Sequence, residues 1–378
     1  MDILVIASEG LYHNPKNSFV HNQLKAIVAL NNNVKVIVPI AFLKKDICGH
    51  RIGKIARVIK IDGIDIIYVR SLSLSTLGSK FFNVESAKIS SIIFGSKFLN
   101  GFHPSVIWAH AFGFGDIIAK AFQKKYKVPV ILTTHGGDTE WALNSTNIKN
   151  TVHNANKIHT IVCVSPKLQR ELNKAGIYNT TCIINGFQIE NVVETTTKRK
   201  NQIVQVGHLI ESKHFDVTLD ALKLLINEGY HFSLKIIGDG HLESDLRKKV
   251  LYSGLDPYVE FLGEIDNSTV LKIMAESEYF IMPSYPEGLG IVYLEAMASR
   301  CITIGTIKEG IDGVIVNEEN GFLVEQNDSF SISQYVKQCV SDEKYMKKIS
   351  NAAYETAIKY TWKTNAIKNM KVIYKAVN

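Results

Sequence analysis

The chain has 378 residues, 46% apolar and 21% charged, with a net charge of +7; that length exceeds what a single hydrophobic core usually serves, so two domains of roughly 190 residues are expected. Five cysteines, Cys48, Cys163, Cys182, Cys301 and Cys339, are scattered without Cys-x-x-Cys spacing, which argues against a disulfide framework or a cysteine zinc site and fits a reducing compartment. The N-terminus lacks a basic region and a signal-length apolar run, and nowhere do 18 uncharged apolar residues follow one another, so a cytoplasmic, non-spanning protein with no nucleic-acid partner is expected.

Residues 3–7 predict a buried strand, 8–18 a loop, 19–29 a helix and 34–39 a second strand. Strand, helix and strand at this spacing imply a parallel sheet with right-handed crossovers. Residues 44–60 interleave six cations and one anion with isoleucine and valine. Two readings stand for them: a solvated loop plus an edge strand, or a surface that meets anionic lipid, each basic residue contributing roughly 1 kcal/mol. Residues 80–99 read either as a core helix or as part of the same surface, with apolar residues at helical spacing and lysines at 88 and 97. The charge is unevenly held. Residues 1–186 contain 22 Lys and Arg against 10 Asp and Glu, +12, and the remainder carries −5.

Residues 106–110 and 128–135 read as strands ending in His110 and His135, and the C-terminal edge of an open α/β sheet is where ligands bind. The turn Gly136-Gly-Asp138 lets the backbone bend sharply beside His135. Residues 161–165 form the next strand, Pro166 opens a helix at its first position, and 182–186 close the half with a strand and turn. Residues 188–201, rich in Thr, Lys, Glu and Asn, read as a linker. The second half restarts with a strand over 203–207, the segment 208–213 and a helix through Leu225; strand and turn recur at 234–240 and 259–263.

The most informative stretch is Pro283-Ser-Tyr-Pro-Glu287-Gly-Leu-Gly290-Ile-Val-Tyr-Leu-Glu295-Ala-Met-Ala298, which reads as a tight loop between a buried strand and a helix. Gly288 and Gly290 let the backbone approach a ligand, and the helix's first turn offers unpaired N–H groups and a positive dipole end to a phosphate. Glu287 and Glu295 flank that cradle, an arrangement suited to a ligand with hydroxyls at both ends of a diphosphate.

This stretch resembles the Glu-x7-Glu motif of the large retaining glycosyltransferase family (glycosyl transferases group 1, glycosyltransferase family 4) that includes bacterial capsule, teichuronic acid and lipopolysaccharide transferases. The Pro-Ser, Glu-Gly-Leu-Gly and Leu-Glu-Ala-Met-Ala context, His135-Gly-Gly-Asp138, Asn17-Ser-Phe-Val-His-Asn-Gln23 and Asn320-Gly-Phe-Leu-Val324 all resemble the family, so the likeness covers nearly the whole chain. It implies the GT-B fold, α/β with two Rossmann-like domains whose parallel sheets face an interdomain cleft. Residues 1–188 would form the acceptor domain, 189–201 the linker, 202–360 the nucleotide-sugar domain, and 361–378 a helix packing back on the first domain.

The resemblance also implies roles. Glu287, His135 and Lys213 would be catalytic; Gly207, His208, Lys213, Gly263, Glu287, Gly288, Leu289, Gly290, Ile291 and Glu295 would hold the donor; Asn17, Phe19, His110 and Asp138 would lie on the acceptor side. The family usually places arginine where His208 stands and lysine at Lys213, both on the donor diphosphate. Lysine is a permanent point charge and histidine is not, so Lys213 carries more of that expectation. The two glycines that many relatives carry in the first loop are absent.

The leading expectation is a retaining, metal-independent transferase that moves a sugar from a nucleotide diphosphate-sugar, UDP favoured, to a glycan or lipid-linked acceptor, without a cofactor and with an anionic membrane surface as a partner on the inner face of the plasma membrane. Breaking the anomeric bond leaves negative charge on the diphosphate, and no two aspartates stand two residues apart to hold a metal, so Lys213, the N–H groups near Gly288 to Gly290 and the helix dipole would supply the positive potential. With no carboxylate nucleophile identified, front-face transfer fits, the leaving phosphate taking the acceptor proton. A dinucleotide-dependent oxidoreductase competes, but Gly238-Asp-Gly240 has Glu at position 243 where G-x-G-x-x-G needs glycine. A two-lobed binding protein leaves Lys213, Glu287 and Glu295 unexplained, a phosphorylase-like enzyme would be much longer, and a transferase acting on a small soluble acceptor stays open.

Overall fold

The computed structural model describes residues 1–12, 14–15, 18–41, 55–71, 80–144, 148–193 and 198–378. The chain divides into two compact units, Met1–Ile184 with Trp362–Asn378, and Asn185–Thr361.

The first unit runs β1 (Asp2–Ile6), α1 (Glu9–Tyr12), α2 (Phe19–Val28), β2 (Asn33–Ala41), β3 (Ala56–Ile61), β4 (Ile64–Ser71), α3 (Lys80–Ile93), a 3₁₀ turn (Gly95–Leu99), β5 (Val106–His110), α4 (Gly115–Tyr126), β6 (Val130–Thr134), α5 (Gly137–Leu143), α6 (Ile148–Ala155), β7 (Thr160–Cys163), α7 (Pro166–Lys174) and β8 (Thr180–Cys182). The strands form one sheet in the order β3-β4-β2-β1-β5-β6-β7-β8. Every residue of β5 and β6 is buried, as expected for parallel strands covered on both faces. Ser18 caps α2 by accepting from His21 N–H, and Ser165 caps α7 ahead of Pro166.

One edge departs from the all-parallel expectation. β3 and β4 pair antiparallel through Asp62-Gly63, both left-handed with φ of 49° and 80°, a two-residue hairpin turn matched to the strands' twist. Of the basic stretch 44–60, residues 44–54 lie outside the described residues, and Arg57 and Lys60 lie on this edge strand. β8 also lies two residues earlier than expected and ends at Cys182.

The second unit runs β9 (Arg199–Val206), a 3₁₀ turn (Glu211–Lys213), α8 (Phe215–Asn227), β10 (Ser233–Ile237), α9 (Glu243–Tyr252), β11 (Val259–Phe261), α10 (Asn267–Glu276), β12 (Ser277–Ile281), α11 (Ile291–Ala298), β13 (Ile302–Thr306), β14 (Phe322–Val324), α12 (Ser329–Ser341) and α13 (Glu343–Ala357). Its sheet is wholly parallel in the order β11-β10-β9-β12-β13-β14. β9 starts at Arg199, inside the stretch expected as linker. Lys198 just before it donates to Ser277 O at 2.7 Å and Ser299 O at 2.6 Å, which ties the chain to the start of β12 and the end of α11.

The last helix, α14 (Trp362–Val377), belongs to the first unit: Ala366, Met370 and Ile373 are buried in that unit's core. Burying a Met or Ile side chain contributes about 1.5–3 kcal/mol. Asn365 accepts from Gln23 Nε2 and donates to Ile184 O, each at 2.8 Å, which fixes the helix in register.

Candidate functional site

In each sheet the first strand of the unit, β1 or β9, is flanked on one side by the next strand in sequence and on the other by a later one. That is where strand order reverses and where the loops beyond the carboxyl ends diverge to leave a crevice. The segments singled out in the sequence fall at these edges.

In the second unit, Gly207 to Lys213 follows β9 and Ser284 to Gly290 follows β12. Three contacts hold the two loops. Buried Gln205 on β9 donates to Lys213 O at 2.8 Å, Tyr285 N–H donates to Ser212 O at 2.9 Å, and the His214 and Tyr285 rings stack with centroids 3.9 Å apart. Lys213 Nζ is thereby brought onto Glu287 as an ion pair, both side chains mostly shielded from solvent. Glu287 also receives Ser284 Oγ–H at 3.4 Å and, through Oε1, the Gly288 N–H at 3.0 Å.

Gly288 N–H, one of the groups expected near a phosphate, is therefore engaged by the loop's own carboxylate. Glu287 N–H is engaged too, donating to Glu309 Oε2 at 2.7 Å. In the first turn of α11 the Tyr293 N–H donates to Gly290 O at 3.0 Å, and the amides of Ile291 and Val292 stand where a helix start has no intrahelical acceptors. Gly290 caps that helix with φ of 74°, where a Cβ would lie 2.8 Å from the Tyr293 ring. Leu289 is buried and Ile291 half-buried at the same place.

Glu309 was not singled out in the sequence. It is 5% exposed, and the backbone beside it touches the motif: a Cβ on Gly310 would lie 2.2 Å from Gly288 O. The only available signal was the glutamate-glycine pair in a loop after a buried strand. What joins it to Glu287 is contact across 22 residues, which periodicity does not reveal.

Glu295 stands on α11, half-buried, and burial raises its carboxyl to about 7. His208 is exposed beyond β9, with Nδ1 3.3 Å from Asp239 Oδ1. Gly263 follows β11, two strands from β9, and its carbonyl accepts from Gly238 N–H at 2.9 Å. It lines the end of β10 rather than the Lys213–Glu287 pair.

In the first unit the structure brings together Phe19, His110, His135 and Asp138. His110 Nδ1 and His135 Nε2 are 3.2 Å apart in near-parallel rings, and Phe19 meets His135 edge-on with centroids 5.1 Å apart. Burial lowers the pKa of both imidazoles, so they are neutral at pH 7 and share one proton between the facing nitrogens. The outward atoms His110 Nε2 and His135 Nδ1 are buried without a partner among the described residues.

Two acceptor-side expectations need correction. His110 has no exposed surface, so it supports His135 and cannot itself touch an acceptor. Asp138 is committed to the loop: its oxygens accept from the N–H groups of Phe112, His135 and Gly136 and from Thr134 Oγ1, at 2.7–3.0 Å. Asn17 lies outside the described residues. Among the described residues no group of three or more His, Cys, Asp or Glu could hold a metal, and no helix is long and apolar enough to cross a membrane.

Residues 19–191 match the family model described as Glycosyltransferase Family 4, and residues 187–356 match that of Glycosyl transferases group 1. Together the two models span residues 19–356, and the chain is a glycosyltransferase. An uncharacterized glycosyltransferase of Methanocaldococcus jannaschii is 25% identical over 265 residues, 69% of this chain and 72% of that protein. The capsular polysaccharide biosynthesis glycosyltransferase CapH of Staphylococcus aureus is 34% identical over 132 residues, 34% of this chain and only 36% of CapH. Anabaena HepE, solved in complex with UDP and glucose, superposes with a TM-score of 0.76 at 17% identity over 99% of this chain and 100% of that one. That likeness shows the fold, GT-B, which the two units and their mainly parallel sheets share.

Proposed function

We propose that this glycosyltransferase moves a sugar from a nucleotide diphosphate-sugar, UDP-sugar first among candidates, to a glycan or lipid-linked acceptor in bacterial surface polysaccharide synthesis, with retention and without a metal. The observation that carries the reading is the Lys213–Glu287 pair at the carboxyl ends of β9 and β12, beside the start of α11. An incoming diphosphate competes with Glu287 for the ammonium group. Lys213 and the amides at the start of α11 then stabilise the charge that grows as the anomeric bond breaks. Glu287, released from the lysine, accepts hydroxyls of the donor sugar, and Glu295 hydrogen-bonds those of the ribose. Neutral His135, fixed by His110, orients the sugar, and the departing phosphate takes the acceptor's proton.

HepE, with UDP bound, and the S. aureus capsule protein support the choice of donor and pathway by analogy only. The test is release of nucleoside diphosphate from a panel of nucleotide-sugars, with and without EDTA. Turnover of a UDP-sugar that survives chelation is expected; strict recovery by Mn²⁺ overturns metal independence, and inertness to every donor overturns the reading. The cytoplasmic face of an anionic membrane is the proposed workplace, supported by the +12 charge of residues 1–186 and by Arg57 and Lys60 on an edge strand. Salt-sensitive sedimentation with anionic but not neutral vesicles checks it.

A further inference from the structure

The first unit carries a cavity of about 480 Å³ among α3, α4, α5 and α6 that none of the roles above uses. That is a volume typical of small-ligand sites. Its wall is amphipathic: Trp141 and Phe112 give it aromatic surface, and Thr151 and Asn154 give it hydrogen-bonding side chains.

Trp141 is seated rather than loose. Gly113 has φ of +87°, and a Cβ there would lie 2.7 Å from the indole's six-membered ring, so the ring occupies space that any other residue at 113 would fill. The same residue is nevertheless 42% exposed. A fixed indole, supported along one edge and open elsewhere beside polar groups, suits the C–H face of a sugar ring.

The charges select among sugars. Among the described residues, three lysines, Lys88, Lys120 and Lys124, face two carboxylates, Glu85 and Asp116. Lys88 pairs with Glu85, and Lys120 Nζ lies 3.8 Å from Asp116 Oδ2. Asp116 is buried beneath the wall, accepts the Gly113 N–H at 2.7 Å, and has its carboxyl raised by that burial. Lys124, exposed at the rim, leaves the cavity net positive.

We infer that this cavity binds an anionic saccharide residue, its ring against Trp141 and its acidic group toward Lys124 and Lys120. The name acceptor for that ligand rests on the transferase reading; the binding site itself does not. The cavity lies alongside the His135 loop, since Phe112 in its wall donates to Asp138 of that loop. A glycan held here would be gripped by a residue other than the one that reacts, which makes acceptor choice depend on a charged sugar along the chain.

The experiment is titration of the full chain with tetragalacturonate and, in parallel, neutral maltotetraose, followed by calorimetry and tryptophan fluorescence. Saturable binding of the acidic oligosaccharide is expected, at least about tenfold tighter than the neutral one. Trp141→Ala should lose it, Trp141→Phe should retain part of it, and Lys124→Gln should narrow the preference for the acidic sugar. No saturable binding of tetragalacturonate, or binding that survives Trp141→Ala, overturns the inference. Acceptor-free hydrolysis of the nucleotide-sugar, measured on the same proteins, separates the two claims. Donor hydrolysis without glycan binding sinks the cavity alone, and glycan binding without any donor turnover sinks the transferase reading alone.

Discussion

The two units place their candidate residues at the same topological position and build them from opposite materials. In the second, Lys213 and Glu287 are a charged pair on loops, held by Gln205, Glu309 and the His214–Tyr285 stack. In the first, His110 and His135 are neutral, and Asp138 is filled by four donors. The difference suits the work proposed for each. A group that must trade a partner for a ligand is best an ion pair, whose attraction a diphosphate can replace; a group that must hold an angle is best uncharged and packed against its neighbours.

The comparison breaks most easily at Glu287. Glu287→Ala should lower turnover by about a hundredfold or more while Tm stays near wild type, because a loop carboxylate adds little to a core. Unchanged turnover at equal Tm removes it from the site.

Supporting residues sharpen the contrast at smaller size. Glu309→Ala frees the Glu287 N–H and should reduce kcat by about tenfold, whereas Glu309→Gln, which can still accept that bond, should retain most of it. Equal loss in both variants, or loss that tracks Tm alone, would mean Glu309 is merely structural. His110→Phe keeps a ring against Trp108 but removes the nitrogen facing His135; kcat should fall by about tenfold with UDP affinity unchanged. A weaker UDP affinity in that variant would contradict the division of labour.

How much of this was legible in the sequence divides along the same line. Residues 3–7, 19–29 and 203–207 announced their elements because apolar runs and helical spacing are local signals, and the observed β1, α2 and β9 agree to within a few residues. The Asp62-Gly63 hairpin turn is itself a local signal. Lys213 and Glu287 were found by motif, but their pairing was not, because it joins residues 74 apart. The same holds for Glu309 and for Lys198, whose partners lie on other elements. His110 looked like a ligand because it ends a strand; only the packing around β5 shows that no surface is left to it.

The smallest effect concerns Glu295. Its carboxyl is raised to about 7, so the folded chain holds a proton there that the unfolded chain releases near the ordinary carboxylate range. The native state then binds more protons than the unfolded state between about pH 4.5 and 7, and stability falls as pH rises through that window. Glu295→Gln should leave Tm unchanged at pH 4.5 and raise stability at pH 8 by on the order of 1–2 kcal/mol. Parallel pH profiles for the two proteins would place the carboxyl in water.

The central claim is that Lys213 is the cation for the diphosphate and that Glu287 occupies it until a ligand arrives. Calorimetric titration of UDP into wild type, Lys213→Ala and Glu287→Gln tests both parts at once. The account predicts affinity about a hundredfold weaker for Lys213→Ala and several-fold tighter for Glu287→Gln, which keeps the side chain's shape but no longer competes for the ammonium group. Equal affinity in all three proteins would contradict it.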